Sequence, residues 1–477
     1  MGVCQPRQTI VHIKHYPYIY GISQEEPMAM PEKSVAFFTL GCKLNQYDTQ
    51  SLAELFRQRG YQVVDASEVA DVYVINTCTV TGSGERKSRQ AINRAIRFNR
   101  DAVVVVTGCY AQTSPGEVLG IDGVDLVIGN QDRSQIVDLV EEIAATRRPQ
   151  ALVKNIFEAK EFEELPIREF SGRTRATLKI QDGCNQFCAY CKIPYARGPS
   201  RSREMEAIMA EARRLADQGF REIVLTGIHL GAYGHDLHPR TNLAAVIRGL
   251  HGIKYLARIR LGSVDAPEID DELIDTLTSH PKACPHLHIP LQAGDDEVLQ
   301  RMRRPYSLQE YRSVVCRVRE KLPGVAITTD IIVGFPGETE AQFEGALEFV
   351  REMGFSRLHV FRYSPRRGTP AARFPEQIPA QIKSRRSQKM IQLGKKLSLA
   401  FHEKHVGKRV EVLWEESSVD STGALWQGHT PTYVQVRACR REGKPGDLQM
   451  VTIEGADEEG IWGKVVEEQP RCTPDLV

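Results

Sequence analysis

The chain has 477 residues, 26% of them charged and 41% apolar, with a formal net charge of +1. That length exceeds one core and implies about two to four domains, and the near-neutral balance means that any nucleic-acid footprint must be local. No apolar run reaches the ~18 residues of a membrane helix, so no membrane partner is expected, and 11 cysteines without a secretory signal argue for a reducing cytoplasm and for metal or redox use.

Residues 1–33 read as an irregular leader with no long apolar stretch, and Met28 or Met30 offers an alternative start. The first domain spans 34–145. Ser-Val-Ala-Phe-Phe-Thr-Leu-Gly-Cys breaks at Gly41 and delivers Cys42, and a helix-compatible segment follows to about Arg59. Ala-Asp-Val-Tyr-Val-Ile-Asn-Thr-Cys then ends at Cys78, a helical segment covers 84–98, and Ala-Val-Val-Val-Val-Thr-Gly-Cys ends at Cys109. Continuous β-branched runs alternating with helices predict an open parallel α/β sheet. Ligands of such sheets lie outside the carboxyl ends of the strands, where all three cysteines fall. A lone cysteine there is usually a small buried hydrophobe; one per successive strand predicts a shared metal cluster.

Residues 146–172 are charged and irregular and read as a linker. The stretch 180–203 carries Cys184, Cys188 and Cys191 at C-x3-C-x2-C spacing. Three thiolates hold three irons of a four-iron cluster and leave the fourth open to a small molecule, whereas four would close it. The alternative is a zinc site with a distant fourth ligand, but zinc sites usually repeat a C-x2-C pair and the chain has no second one. The loop resembles the signature of radical S-adenosylmethionine (SAM) enzymes.

From 173 to 400 strands and helices alternate. Candidate strands are 176–181, 221–226, 257–263, 286–291, 325–333 and 357–363. Candidate helices lie near 204–219, 241–251, 269–278, 295–302, 308–321 and 339–353. Six units are too few for a closed eight-stranded barrel and suit the partial (β/α)6 barrel that the radical SAM resemblance implies. Its SAM contacts would include Tyr190 beside the last cysteine, Thr226 and Gly227 in place of the glycine-rich motif, and Asp330 and Gly334 in a segment resembling the motif beside the adenine. The last segment reads equally as a strand-to-helix turn. Ser263 and Gln292 end further strands at the mouth. His229, His288, Cys284 and Cys316 read as structural.

Residues 383–409 hold nine lysines and arginines against one acid, Glu403, a candidate phosphate-binding face or a solvated one. Arg197, Arg201 and Arg203 add charge beside the cysteine loop, and Arg86, Lys87, Arg89, Arg94 and Arg97 beside the first domain's cysteines. Over 402–470 four short runs, Arg-Val-Glu-Val-Leu-Trp, Thr-Tyr-Val-Gln-Val-Arg, Leu-Gln-Met-Val-Thr-Ile and Ile-Trp-Gly-Lys-Val-Val, predict a small β-barrel. Tyr433 or Trp426 is available in it for base stacking.

Thr-Leu-Gly-Cys-Lys-Leu-Asn, Ile-Asn-Thr-Cys-Thr-Val-Thr and Thr-Gly-Cys-Tyr-Ala-Gln, with the radical SAM loop, resemble the methylthiotransferase family over about 34–470. The last barrel resembles its RNA-binding TRAM domain. Thr-Gly-Ile-His-Leu-Gly-Ala-Tyr-Gly resembles the branch acting on threonylcarbamoyladenosine in tRNA. The resemblance implies two [4Fe–4S] clusters, an auxiliary one on Cys42, Cys78 and Cys109 and a SAM-binding one on Cys184, Cys188 and Cys191. It also implies two SAM molecules per turnover, a flavodoxin- or ferredoxin-type reductant and a sulfur donor. The product would be a methylthio group on carbon 2 of the adenine next to the anticodon. The runner-up substrate is isopentenyladenosine in tRNA; a different class is a non-catalytic iron–sulfur RNA-binding or redox-sensing protein.

Overall fold

Two strand runs with no polar face, Val-Tyr-Val-Ile-Asn-Thr and Val-Val-Val-Val-Thr-Gly, are buried at every position, as parallel strands covered on both sides must be. They belong to a computed structural model that describes residues 33–167, 174–420, 423–440 and 443–466. The proposed starts Met28 and Met30 lie outside the described residues. Contacts divide the chain into two units. Among the described residues, the first holds 33–159, 163–167 and the short segment Tyr195–Gly198; the second holds Lys160–Phe162, Thr174–Pro194 and those from Pro199 onward.

In the first unit β1 (Ser34–Thr39), β2 (Gln62–Val64), β3 (Val72–Thr77), β4 (Val103–Gly108), β5 (Leu126–Ile128) and β6 (Gln150–Leu152) form one sheet. Its order is β2-β1-β3-β4-β5-β6 and every pairing is parallel. The helices are α1 (Lys43–Gln58), α2 (Gly82–Phe98), α3 (Cys109–Thr113), α4 (Pro115–Leu119) and α5 (Ile136–Thr146). Alternate residues of β3 enter opposite cores: Val72 and Val74 pack with Leu52 and Phe56 of α1 and Ile136 of α5, and Tyr73 and Ile75 with Ile92 and Ala95 of α2. This is the period of two that puts successive side chains on opposite faces. The expected linker contributes β6, so the sheet runs past residue 145. The order reverses between β1 and β3, and such a switch point is where open sheets bind ligands.

The second unit begins with β7 (Arg175–Lys179) and the short ribbon β8 (Gln181–Asp182) with β9 (Arg201–Ser202); the turn α6 (Ile193–Arg197) lies between these in sequence, its residues from Tyr195 belonging to the first unit. It continues with α7 (Met205–Asp217), β10 (Glu222–Thr226), α8 (Leu243–His251), β11 (Arg258–Leu261), α9 (Asp271–Ser279), β12 (His286–His288) and α10 (Asp296–Arg301). Next come α11 (Leu308–Lys321), β13 (Ala326–Val333), α12 (Glu340–Met353), β14 (Arg357–Arg362) and α13 (Ala380–Glu403). All six expected barrel strands and their helices are present. Parallel sheets β11-β10-β7 and β12-β13-β14 are joined by parallel bridges Ile259↔Ala283 and Ser263↔His288. β7 and β14 stand at the two ends of this partial barrel. Capping boxes at Ser307 and Thr339 start α11 and α12, satisfying orphan backbone donors that would otherwise fray the first turn.

The C-terminal strands β15 (Arg409–Asp420), β16 (Gly423–His429), β17 (Gln435–Cys439), β18 (Leu448–Ala456) and β19 (Ile461–Val465) close a barrel in the order β15-β16-β17-β19-β18. β16, Gly-Ala-Leu-Trp-Gln-Gly-His, is the strand the sequence reading missed, because a glycine near each end reads as turn punctuation. Its Trp426 lies in the barrel core against Trp414 (centroids 6.4 Å apart), so it is not available for base stacking. Tyr433 is engaged as well: His429 stacks on it at 4.9 Å, and Arg260 and Arg175 lie 4.7 and 5.0 Å from its ring. The exposed aromatic of this barrel is Trp462, 41% accessible, with Arg437 beside it.

Glu222 and Arg258, which open β10 and β11, are buried with Arg260 of β11. Arg260 forks onto Glu222 (2.6 and 3.2 Å) and donates to the carbonyls of Thr430 and Pro431. Arg258 donates to the His429 carbonyl and to the Glu411 carboxylate. Paired charges thus bind the small barrel to the base of the partial barrel. Part of the expected basic face of α13 is likewise paired: Arg385 and Arg386 meet Glu340, Arg386 also Glu338, Lys389 meets Glu344 and Lys395 meets Glu458.

Candidate functional site

Two groups of three thiols stand in the two units. In the first, Cys78 directly follows Thr77 of β3 and Cys109 opens α3 directly after Gly108 of β4, while Cys42 stands just before α1, past Leu40 and Gly41 from the end of β1. Gly108 holds φ +91°, and a Cβ there would lie 2.4 Å from Asn76 Oδ1 and 2.6 Å from the Thr77 carbonyl. Only glycine lets β4 turn this close to β3. Asn45 ties the strand ends together, its Nδ2 donating to the carbonyls of Leu40 (2.7 Å) and Thr77 (3.0 Å). Ser88 Oγ accepts from the Cys78 N–H at 3.2 Å. Burial pushes the Cys109 thiol up to about 12, against the pull of the Arg197 guanidinium that hydrogen-bonds it, and the thiols of Cys78 and Cys42 are near enough to act on it.

In the second unit the three cysteines lie between β8 and α6, each beside an N–H donor. The backbone N–H of Gln186 points at Cys184 Sγ (3.3 Å), that of Ile193 at Cys191 Sγ (3.4 Å), and Arg304 Nη1 at Cys188 Sγ (3.4 Å). Burial pushes the Cys191 thiol up to about 12. Such N–H···S contacts orient thiolate ligands and tune an iron–sulfur centre. Arg304 is itself held by Asp265 (2.7 Å) and by the Tyr306 hydroxyl (3.1 Å).

His229 enters the same cluster. Its ring meets Glu268 and Gln186, and its backbone N–H donates to Gln181 Oε1 at 2.8 Å. Burial alone would push its imidazole down, but hydrogen bonds to Cys184 and Glu268 hold it up, to about 10. Arg304, Asp265, Glu268 and His229 make the polar wall of the loop. The sequence reading set His229 aside and named neither Arg304 nor Glu268 as a site residue. His229 had a signal, its place at the end of a barrel strand; Arg304, beyond α10, had none.

Tyr190 sits beside Arg304 and Cys188, and burial raises its phenol well above the ordinary range. Thr226 and Gly227 lie at the end of β10 against the loop's base: the Thr226 carbonyl accepts from Ile180 N–H (3.0 Å), and a Cβ on Gly227 would stand 2.8 Å from Gln181 Oε1. Gln292 (φ +67°) exchanges backbone hydrogen bonds with Asp330 and Ile332 at 2.8 Å. His288 links to Asp330 (3.3 Å) and Thr328 (2.9 Å). Ser263 is exposed at the end of β11, bridged to His288. Gly334, just past the end of β13, packs on Lys383 with its N–H donating to Glu338 (2.7 Å), the arrangement of a strand-to-helix turn. On the inward stripe of β14, Arg357, His359 and Phe361 are exposed, and His359 meets His288 edge to face at 5.5 Å. Arg197, Arg201 and Arg203 are buried rather than displayed: Arg201 donates to the Pro199 carbonyl and Arg203 to Glu211.

Each triad offers three sulfur donors, which suits a four-iron cluster with one open iron. Among the described residues no three His, Cys, Asp or Glu side chains converge as on a single metal ion; a cube, with one thiolate per iron, does not ask them to.

A parallel partial barrel with this thiol spacing after its first strand defines a radical SAM enzyme, here with a second thiol-bearing sheet before it. Family descriptions agree: "Radical SAM superfamily" matches residues 178–350, and "Uncharacterized protein family UPF0004" matches 34–129. The chain is 44% identical to threonylcarbamoyladenosine tRNA methylthiotransferase MtaB of Bacillus subtilis, over 91% of this chain and 98% of that one. It is 38% identical to tRNA-2-methylthio-N(6)-dimethylallyladenosine synthase of Moorella thermoacetica, over 85% and 92%. Among solved structures, the radical SAM methyltransferase TsrM of Kitasatospora setae shares the fold at TM-score 0.55 and 15% identity, over 71% of this chain and 77% of that one. The chain belongs to the radical SAM methylthiotransferases, and within them to the MtaB-type enzymes.

Proposed function

We propose that the protein methylthiolates carbon 2 of N6-threonylcarbamoyladenosine next to the anticodon of tRNA, giving 2-methylthio-N6-threonylcarbamoyladenosine. The observation that carries this reading is the 44% identity over nearly the whole length of the Bacillus subtilis enzyme, supported by two three-thiol sets at strand ends. Cys184, Cys188 and Cys191 are the ligands of one [4Fe–4S] cluster, and Cys42, Cys78 and Cys109 those of the auxiliary one. The target C–H bond is not acidic enough for a side-chain base, so bound SAM and the clusters supply the radical and sulfur chemistry.

The chain's own residues orient and shield. Gln186, Ile193 and Arg304 aim N–H groups at the three sulfurs of the SAM-side loop, and His229 with Glu268 and Asp265 walls its polar side. Tyr190, Thr226, Gly227, Ser263, Gln292, Asp330 and Gly334 are the SAM-contact set of this reading. The exposed stripe Arg357, His359 and Phe361 suits an unstacked base and its phosphate, and Trp462 suits a second base. The reading further takes a flavodoxin- or ferredoxin-type reductant and a sulfur donor as partners, and a cytoplasmic site of action. Among the described residues no helix is long and apolar enough to cross a membrane.

The test is nucleoside mass analysis of tRNA from a deletion strain. Loss of the methylthio group from threonylcarbamoyladenosine alone is expected; loss from isopentenyladenosine instead would reassign the branch. Anaerobic reconstitution with SAM, reductant and tRNA is expected to give 5′-deoxyadenosine, and none from a loaded protein would sink the enzyme reading.

A further inference from the structure

The segment Tyr195–Gly198 follows the SAM-side cysteines in sequence but packs within the first unit. It is fixed there from both ends. Asn130 Nδ2 donates to the Ala196 carbonyl (2.7 Å), and Gly198, at φ +71°, approaches so close that a Cβ would lie 2.2 Å from the Ile156 carbonyl oxygen. The segment delivers Arg197, whose side chain is fully buried. Arg197 Nη2 donates to Asn45 Oδ1 at 2.7 Å and to Asp48 Oδ2 at 2.9 Å. Asn45 is the residue that ties the strand ends of Cys42 and Cys78, and it also accepts weakly from the Cys42 thiol (3.9 Å). The guanidinium further hydrogen-bonds Cys109. Asp48 is shared: Arg133, itself buried and held by Glu163, takes the same oxygen at 2.9 Å. Asp48 thus bridges two buried guanidiniums.

We infer that Arg197 is a positioning residue for the auxiliary cluster, holding the Cys42, Cys78 and Cys109 ligands in register through Asn45 and setting the cluster's reduction potential by placing a buried cation and N–H donors against it. Reduction adds one negative charge to the cluster. A fixed cation in a low-dielectric site favours that charge, and N–H···S contacts act in the same sense. Removing Arg197 therefore makes the cluster harder to reduce, and removing its counter-charge Asp48 makes it easier. A residue that merely fills space would not give opposite signs.

The inference rests on the two-cluster reading, and its test separates the two. Full-length protein with Cys184→Ala, Cys188→Ala and Cys191→Ala is reconstituted anaerobically with iron and sulfide, leaving the auxiliary site alone. About four irons per chain are expected; no iron there would refute the two-cluster reading itself. In that background, Arg197→Met, Arg197→Lys and Asp48→Asn are compared by iron content and by redox titration followed by electron paramagnetic resonance. The potential is expected to fall in Arg197→Met, to fall less in Arg197→Lys, and to rise in Asp48→Asn. If Arg197→Met loses its iron, the Lys and Asn variants decide by their opposite shifts. Iron-replete variants with unchanged potentials, or shifts of one sign, would overturn the assignment.

Discussion

Glu222→Gln is the change with the most workable magnitude. Glu222 is inaccessible to solvent and faces three arginines: Arg260 forked onto it, Arg258 at 3.6 Å, and Arg175 nearby. Burial alone would raise its carboxyl, yet Arg260, Arg175 and Arg258 hold it below the usual range. Removing one partner of a buried pair costs about 3–5 kcal/mol. The low end applies, because Arg258 keeps Glu411 and Arg260 keeps the Thr430 and Pro431 carbonyls. At roughly 2–4 °C per kcal/mol for a domain of this order, the second unit should unfold about 6–12 °C lower. The sign with pH follows from the lowered carboxyl. Its contribution is fully present above the unfolded value, near ~4.3, and is lost as pH falls through the lower folded value. Calorimetry of wild type and Glu222→Gln should show a constant gap from about pH 7.5 down to 5 and a closing gap below about 4. A drop under about 2 °C at pH 7.5, or a gap that widens in acid, would refute the charge account of how the small barrel is held.

Three further outcomes test the sites. Cys42→Ala should still cleave SAM but make no methylthiolated nucleoside, whereas Cys188→Ala should do neither; equal loss of 5′-deoxyadenosine in both would mean the clusters are not separable. Gly108→Ala forces a Cβ to 2.4 Å from Asn76 Oδ1 at φ +91°, so reconstituted iron should fall by about half; unchanged iron would place the Cys109 turn outside the auxiliary site. Trp462→Ala should weaken tRNA binding roughly 5- to 100-fold, the worth of one stacked base, with melting unchanged, and undiminished affinity would remove Trp462 from the RNA surface.

The cysteines and strands were legible because they are local signals. A β-branched run ending in a glycine or threonine and then a cysteine specifies a strand, its end and its cargo within about nine residues; in the structure β3 and β4 end directly before their cysteines and β1 ends at Thr39, shortly before Cys42. The alternation of strand and helix segments from 173 to 400 announced the partial barrel in the same way. Charge was read less well. Nine basic residues over 383–409 looked like one cationic face, but Arg385, Arg386, Lys389 and Lys395 are paired with carboxylates from residues 338–344 and 458. Nothing in a linear reading brings those together.

The sequence by itself determined which atoms are available: two sets of three thiols, each on a loop after a parallel strand, because thiol identity and strand periodicity are carried by consecutive residues. The tertiary structure alone decided what surrounds them. Arg304 reaches Cys188 from more than a hundred positions away, His229 turns from a lone strand-end histidine into a partner of Cys184, and Arg197 moves from an expected phosphate-binding surface to a buried place among Asn45, Asp48 and Cys109. Electrostatic environment is a property of distance in space, and only the fold sets those distances.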